Sequence, residues 1–133
     1  MSGEKDLETL LLSMRPKLSE RQFVFCNILP DKLSTLKMEP LFVFREEEGV
    51  TIIIEKRHAD SESLDYDDVW SWIALTIHSS LSAVGFLAAI TNKLSENFIS
   101  VNVVSAYFHD HLFVPQEKAH LAMQVLDGLQ EHR

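Results

Sequence analysis

Hydrophobic and polar residues along the chain fall into two successive patterns, and the second is the clearer. Residues 6–13, DLETLLLS, read as a short helix. QFVFCNI (22–28) alternates as a strand, with Val24, Cys26 and Ile28 on one face and Phe23 and Phe25 on the other. PDKLSTL (30–36) reads as a turn or a single helical turn. LFVFRE (41–46) and VTIIIEK (50–56) are strands joined by Glu47-Glu48-Gly49, a hairpin signal because glycine takes the positive φ such turns need.

An acidic stretch, residues 60–68, separates the halves and reads as a solvated linker. It lacks the glycine and the terminal glutamate of a calcium loop. Beyond it, VWSWIALTIH (69–78) is a strand, with Ile73, Leu75 and Ile77 on one side and Trp70 and Trp72 on the other. The tryptophan pair is expected in the core against the first half, with a pocket or dimer contact as the other reading. SSLSAVGFLAAITNKLSENF (79–98) holds a helix with Ser82 as its N-cap. Its apolar stripe is Val84, Leu87, Ile90, Leu94 and Phe98. ISVNVVSAYF (99–108) and HLFV (111–114) are strands, the first a candidate sheet edge. PQEKAHLAMQVLDGLQ (115–130) is a helix, with Ala119, Ala122, Met123, Leu126 and Leu129 inward.

The second half thus runs β-α-β-β-α, most of a split βαβ sandwich: an antiparallel sheet with two helices on one face. The predicted class is α+β, a ferredoxin-like βαββαβ sandwich. The first half supplies three strands and little helix, as a degenerate copy would. The expected division is 1–65 for the first repeat and 66–133 for the second.

Composition narrows the function. The chain has 133 residues, of which 46% are hydrophobic, enough for a core. No apolar run reaches the ~18 residues of a membrane span. The charged N-terminus lacks a signal-peptide pattern, so a cytoplasmic location is expected. Net charge is −8, and the few basic residues are scattered, which argues against nucleic acid and against an anionic membrane surface. Cys26 is the single cysteine, which excludes an internal disulfide and a cysteine zinc site. It reads as a small core residue rather than a nucleophile.

FHDHLFVP (108–115) is the one stretch that hints at catalysis or metal. His109 and His111 stand at i and i+2, so they share a side of an extended chain. A metal would want third and fourth ligands, and His58, His78, His120 and His132 show no such spacing. His109-Asp110-His111 instead reads as the polar tight end of a hairpin, where Asp accepts from backbone N–H groups. No catalytic residue, metal or cofactor is expected.

The segment WIALTIHSSLSAVGFLAAITNKLSENFISVNVVSAYFHDHLFVP resembles the ACT domain, a small regulatory module attached to amino-acid biosynthetic enzymes. It is most similar to the stand-alone branch related to the aspartokinase regulatory region, in which a worn first ACT-like repeat precedes a well-formed second. The residues that carry the resemblance are Ile73–Ile77, Ser79–Ala83, Gly85, Ile99–Val101, Ser105 and Asp110–Val114. His111 stands where that branch usually has an aromatic residue.

The resemblance implies a non-catalytic regulatory module. It implies a site for a free amino acid or similar small carboxylate at the turn between the repeat's first strand and first helix, and a homodimer. The candidate ligand-binding residues are Ser79, Ser80, Leu81, Ser82, Ala83, Val84 and Gly85, with Asn102, Ser105 and Asp110. The residues alone support the same corner: a helix start offers unpaired N–H groups and partial positive charge to a carboxylate. Asp110 is a candidate partner for the ammonium group. A capping serine and a packing glycine would give the same sequence without any ligand. The competing reading is a protein-interaction or oligomerisation module with no small ligand.

Overall fold

The computed structural model describes residues 3–131. The elements in chain order are α1 (Leu7–Ser13), β1 (Pro16–Ile28), α2 (Pro30–Leu33), β2 (Phe42–Glu46), β3 (Gly49–Glu55), α3 (Lys56–Ser61), β4 (Trp70–Leu75), α4 (Phe86–Glu96), β5 (Asn102–Ser105), β6 (Asp110–Pro115) and α5 (Ala119–Glu131). A 3₁₀ turn, Gln116–Lys118, leads into α5. The class is α+β, with the antiparallel sheet and helices of a ferredoxin-like fold. The chain divides into two compact units, residues 21–70 and residues 1–20 with 71–133.

In the unit of residues 21–70 the strand order is β2-β3-β1. β3 pairs antiparallel with both neighbours, Cys26 opposite Ile52 and Val43 opposite Ile52. The β2–β3 hairpin closes over Glu47 and Glu48, with Glu46 opposite Gly49. Gly49 has φ 152°, and a Cβ there would run into the Asn27 side chain. Val24, Cys26, Ile28, Val50, Ile52 and Ile54 form the core of this unit with Ala59 of α3. Burial, and then the charge of Asp65, push the Cys26 thiol up, so it stays protonated as a core residue does. The expected linker is not wholly a solvated loop, because α3 runs through Ser61. Asp60 accepts from Lys56 Nζ at 2.9 Å and from Tyr66 Oη at 2.6 Å, which ties the segment down.

In the other unit the strand order is β4-β6-β5. α1, α4 and α5 pack together, and their inner faces meet those of β4 and β6. Leu10, Met14, Ile73, Ile90, Leu94, Leu112 and Leu126 have no solvent exposure. Asp6 caps α1, its Oδ2 accepting from Thr9 N at 3.0 Å and Thr9 Oγ1 at 2.8 Å. The predicted inner face of α5 holds: Ala119, Ala122 and Leu126 are buried, and Met123 and Leu129 pack against them.

Several boundaries differ from the sequence expectation. β1 begins at Pro16, six residues before 22, and β4 ends at Leu75 rather than 78. β5 covers four residues, not ten; it forms a sheet edge, paired with β6 alone among the described strands. α4 begins at Phe86, so the stripe of Val84 and Phe98 falls off its ends. Val84 is 84% exposed and Phe98 87%, while the helix buries Phe86, Ile90 and Leu94. Trp70 and Trp72 are half-buried rather than core. Trp70 meets Phe25 edge-on, with centroids 5.7 Å apart, and Trp72 stacks on Phe113 at 6.4 Å.

The C-terminus of α4 explains where Phe98 goes. Phe98 N–H donates to Ser95 O at 2.9 Å and Ile99 N–H to Leu94 O at 3.0 Å, the two bonds of a Schellman motif. Phe98 takes the left-handed position, φ 59°, and points to solvent; Ile99 folds back onto the core beside Leu94.

Candidate functional site

The segment from Thr76 to Gly85 joins β4 to α4 and is fixed at both ends. Thr76 N–H donates to Met14 O at 2.9 Å, and Thr76 Oγ1 to Arg15 O at 2.8 Å. Near its middle the segment is gripped by the N-terminal residues. Glu4 N–H donates to His78 O at 2.9 Å and Ser80 N–H donates to Glu4 O at 2.8 Å, a parallel bridge between Glu4 and Ser79. Gly3 makes this approach possible. A Cβ on it would lie 2.6 Å from Ser79 C and 2.7 Å from His78 O, closer than backbone atoms allow.

Residues 80–83 then turn on themselves. Ala83 N–H donates to Ser80 O at 3.0 Å, Ser82 N–H donates to Ser80 Oγ at 3.2 Å, and the two hydroxyls sit 3.0 Å apart. Ser82 is therefore spent inside this turn and does not cap the helix. The N-cap is Gly85, in the left-handed region at φ 88°, with no side chain to supply an acceptor. Its carbonyl accepts the first helical bond, from Ala89 N–H at 2.9 Å. The N–H groups of Phe86, Leu87 and Ala88 precede that bond, and among the described residues no hydrogen bond reaches them.

A cavity of about 120 Å³ opens at this corner. Ser79, Ser80, Leu81, Ala83 and Gly85 form one wall and the first turn of α4, Phe86 to Ala88, another. Ser105 and Asp110 contribute from the β5–β6 pair, where they stand opposite each other in register. Asp110 is 6% exposed, and its Oδ2 accepts from the buried Ser79 Oγ at 2.9 Å. No ion pair to Asp110 is formed among the described residues.

Of the candidate residues, Ser79, Ser80, Leu81, Ala83, Gly85, Ser105 and Asp110 are brought together around the cavity. Ser82, Val84 and Asn102 do not line it: Ser82 is bonded back to Ser80, Val84 points to solvent, and Asn102 lies at the far end of β5 from Ser105. Sequence reasoning missed Phe86, Leu87 and Ala88, because it started the helix three residues early. It missed Gly3 and Glu4 entirely. The positive φ available to Gly85 was the signal that could have moved the helix start.

The His109-Asp110-His111 stretch is not the tight end expected. The turn lies at residues 106–109, closed by Ala106 N–H donating to His109 O at 3.0 Å, and Asp110 is the first residue of β6. Its carboxylate faces inward to Ser79 instead of capping a turn. His111 Nδ1 accepts from Trp72 Nε1 at 3.0 Å, which places any ring proton on Nε2. Burial, and then the neighbouring His109, lower the His111 pKa below its ordinary value against an opposing pull from Asp110. Among the described residues no group of three or more His, Cys, Asp or Glu converges as a metal site would. Nor is any described helix long and apolar enough to cross a membrane.

Comparison with known proteins agrees with this architecture. Residues 2–71 match one sequence model of the ACT domain, and residues 70–127 match a second. A Vibrio cholerae protein of unknown function, described as a possible transport protein, is 41% identical over 95% of this chain and 97% of its own, with a TM-score of 0.83. The regulatory subunit of aspartate kinase from Thermus thermophilus, in a ligand-free form, has a TM-score of 0.67 at 9% identity, covering 88% of this chain and 97% of that one. Aspartokinase III of E. coli, in complex with aspartate and ADP, has a TM-score of 0.68 at 12% identity, covering 91% of this chain and 34% of that one. A search of curated proteins returned no match. The tandem matches span nearly the whole chain, and together with the fold of the two units they make it a member of the ACT domain family, a regulatory module built from two such domains in succession.

Proposed function

We propose that the chain is a regulatory module that binds a free amino acid in the cavity between the start of α4 and Asp110. The observation that carries this reading is the pairing of opposite features across one small space. The free amides of Phe86, Leu87 and Ala88 suit a carboxylate, and the Asp110 carboxylate, buried without a cation, suits an ammonium group. An amino acid offers both at once. We take residues 1–65 and 66–133 as the two repeats, with the ligand held by the second.

A thermal-shift series of the full chain against the twenty amino acids tests the reading. A ligand at 100 times its Kd raises stability by about 2.7 kcal/mol, a clear move of the melting curve. If none moves it at millimolar concentration, the sensing role falls.

A second reading is favoured by β5. This edge strand pairs with β6 alone among the described strands, and the turn beside it exposes Tyr107 and Phe108. On that reading the chain is an oligomerisation or protein-interaction module, and a homodimer forms with or without a ligand. Sedimentation of the ligand-free protein checks it: a monomer at tens of micromolar removes the support.

A further inference from the structure

We infer that the cavity is selective for small amino acids with uncharged side chains, and that it rejects both acidic and basic ones. This rests on the amino-acid reading above and adds the class of ligand. The argument is a charge balance. The residues that line the cavity include no lysine, arginine or histidine and a single carboxylate, Asp110. His109 and His111 flank Asp110 in sequence but lie outside the lining, and His111 is engaged with Trp72.

A zwitterion with a neutral side chain closes this balance. Its ammonium group answers Asp110, and its carboxylate answers the first turn of α4. An aspartate or glutamate brings a second negative charge beside the buried Asp110, and the lining offers no cation to meet it. A lysine or arginine brings a second positive charge, and no second carboxylate stands in the lining to receive it. The remaining wall is small and mixed: Leu81, Ala83 and Leu87 supply apolar contact, while Ser80 and Ser105 supply hydroxyls. About 120 Å³ is well below the roughly 300 Å³ at which drug-sized pockets begin, so bulky aromatic side chains gain little contact here and are disfavoured as well.

Calorimetric titration of the unmodified full chain tests this without relying on a variant that must fold. Glycine, alanine, serine and threonine are compared with aspartate, glutamate, lysine, arginine and tryptophan at one pH and ionic strength. At least one of the small neutral four is expected to bind about tenfold or more tighter than every charged or aromatic competitor. A charged or aromatic amino acid that binds equally well or better overturns the selectivity while leaving the amino-acid reading intact. Silence from all nine overturns the selectivity, and the thermal-shift series over all twenty amino acids decides the amino-acid reading separately. An added variant, Ser105→Arg, places a cation in the lining; it is expected to shift preference toward aspartate, and an unchanged order of affinities counts against the charge balance.

Discussion

The hydroxyl of Ser79, in the segment that joins β4 to α4, donates to the carboxylate of Asp110, at the start of β6, across 2.9 Å, and both residues are buried. This bond ties the serine-rich turn to the β5–β6 pair and aims the carboxylate at the cavity. Ser79→Ala removes the donor and leaves a buried acceptor short of a partner, which is expected to cost about 1–3 kcal/mol in urea denaturation. Asp110→Asn keeps the volume and removes the charge. It is expected to fold and to lose amino-acid binding, which calorimetry on the same sample reads directly.

Gly3 makes a prediction at the opposite end of the chain. Its Cα faces the backbone of His78, Ser79 and Ser80, with no room for a methyl group. Gly3→Ala is expected to destabilise the protein by about 1–3 kcal/mol, as overpacking does, and to weaken ligand binding because the same turn lines the cavity. A melting temperature and an affinity equal to those of the unmodified chain would show that this grip is unimportant.

Two residues from one sequence stripe separate what was legible from what was not. Ile90 and Val84 both fit the helical period of 79–98, yet Ile90 is fully buried and Val84 is 84% exposed. Ile90→Ala is expected to cost about 2–5 kcal/mol and Val84→Ala less than about 0.5 kcal/mol. Equal costs would mean that the helix extends back to Ser82. Periodicity found the elements because it reports which side chains meet the core. It misplaced the start of α4 because a serine cap and a glycine cap both precede an apolar run, and the choice was made by bonds between Ser80 and Ser82. It placed Asp110 in a turn because Asp is favoured there; the partner that draws it inward, Ser79, is 31 residues away. The N-terminal grip was invisible for the same reason: Gly3 and Glu4 act through backbone atoms on residues 78–80. The corner itself was legible because loop and helix start are adjacent in the chain.

Phe98 holds a left-handed conformation, φ 59°, with 87% of its surface in solvent. It contributes conformational strain and little burial. Phe98→Gly is expected to raise stability by about 0.5–1 kcal/mol, since glycine takes this geometry without steric cost but loses more chain entropy. A fall in melting temperature would assign Phe98 a packing role.

His111 gives the protein a pH dependence of defined sign. Burial first, and His109 next, lower its folded pKa, so below about pH 6.5 the unfolded chain takes up the proton more readily than the folded one. Stability is complete above that value and declines as pH falls toward the lowered folded value, then levels off for this group. Protonation also removes the Nδ1 acceptor that Trp72 uses. Urea midpoints measured from pH 8 to 5 are expected to fall, and to fall less in His111→Gln. Identical profiles would remove His111 as the cause.

The account depends above all on the corner where α4 begins. Amide chemical-shift mapping of the full chain, titrated with a small neutral amino acid such as serine up to about 10 mM, a range that detects even millimolar Kd values, tests it most directly. The expected result is saturable shifts concentrated at Leu81, Gly85 to Ala88, Ser105 and Asp110. Saturable shifts located elsewhere, or none for any of the twenty amino acids, would contradict it.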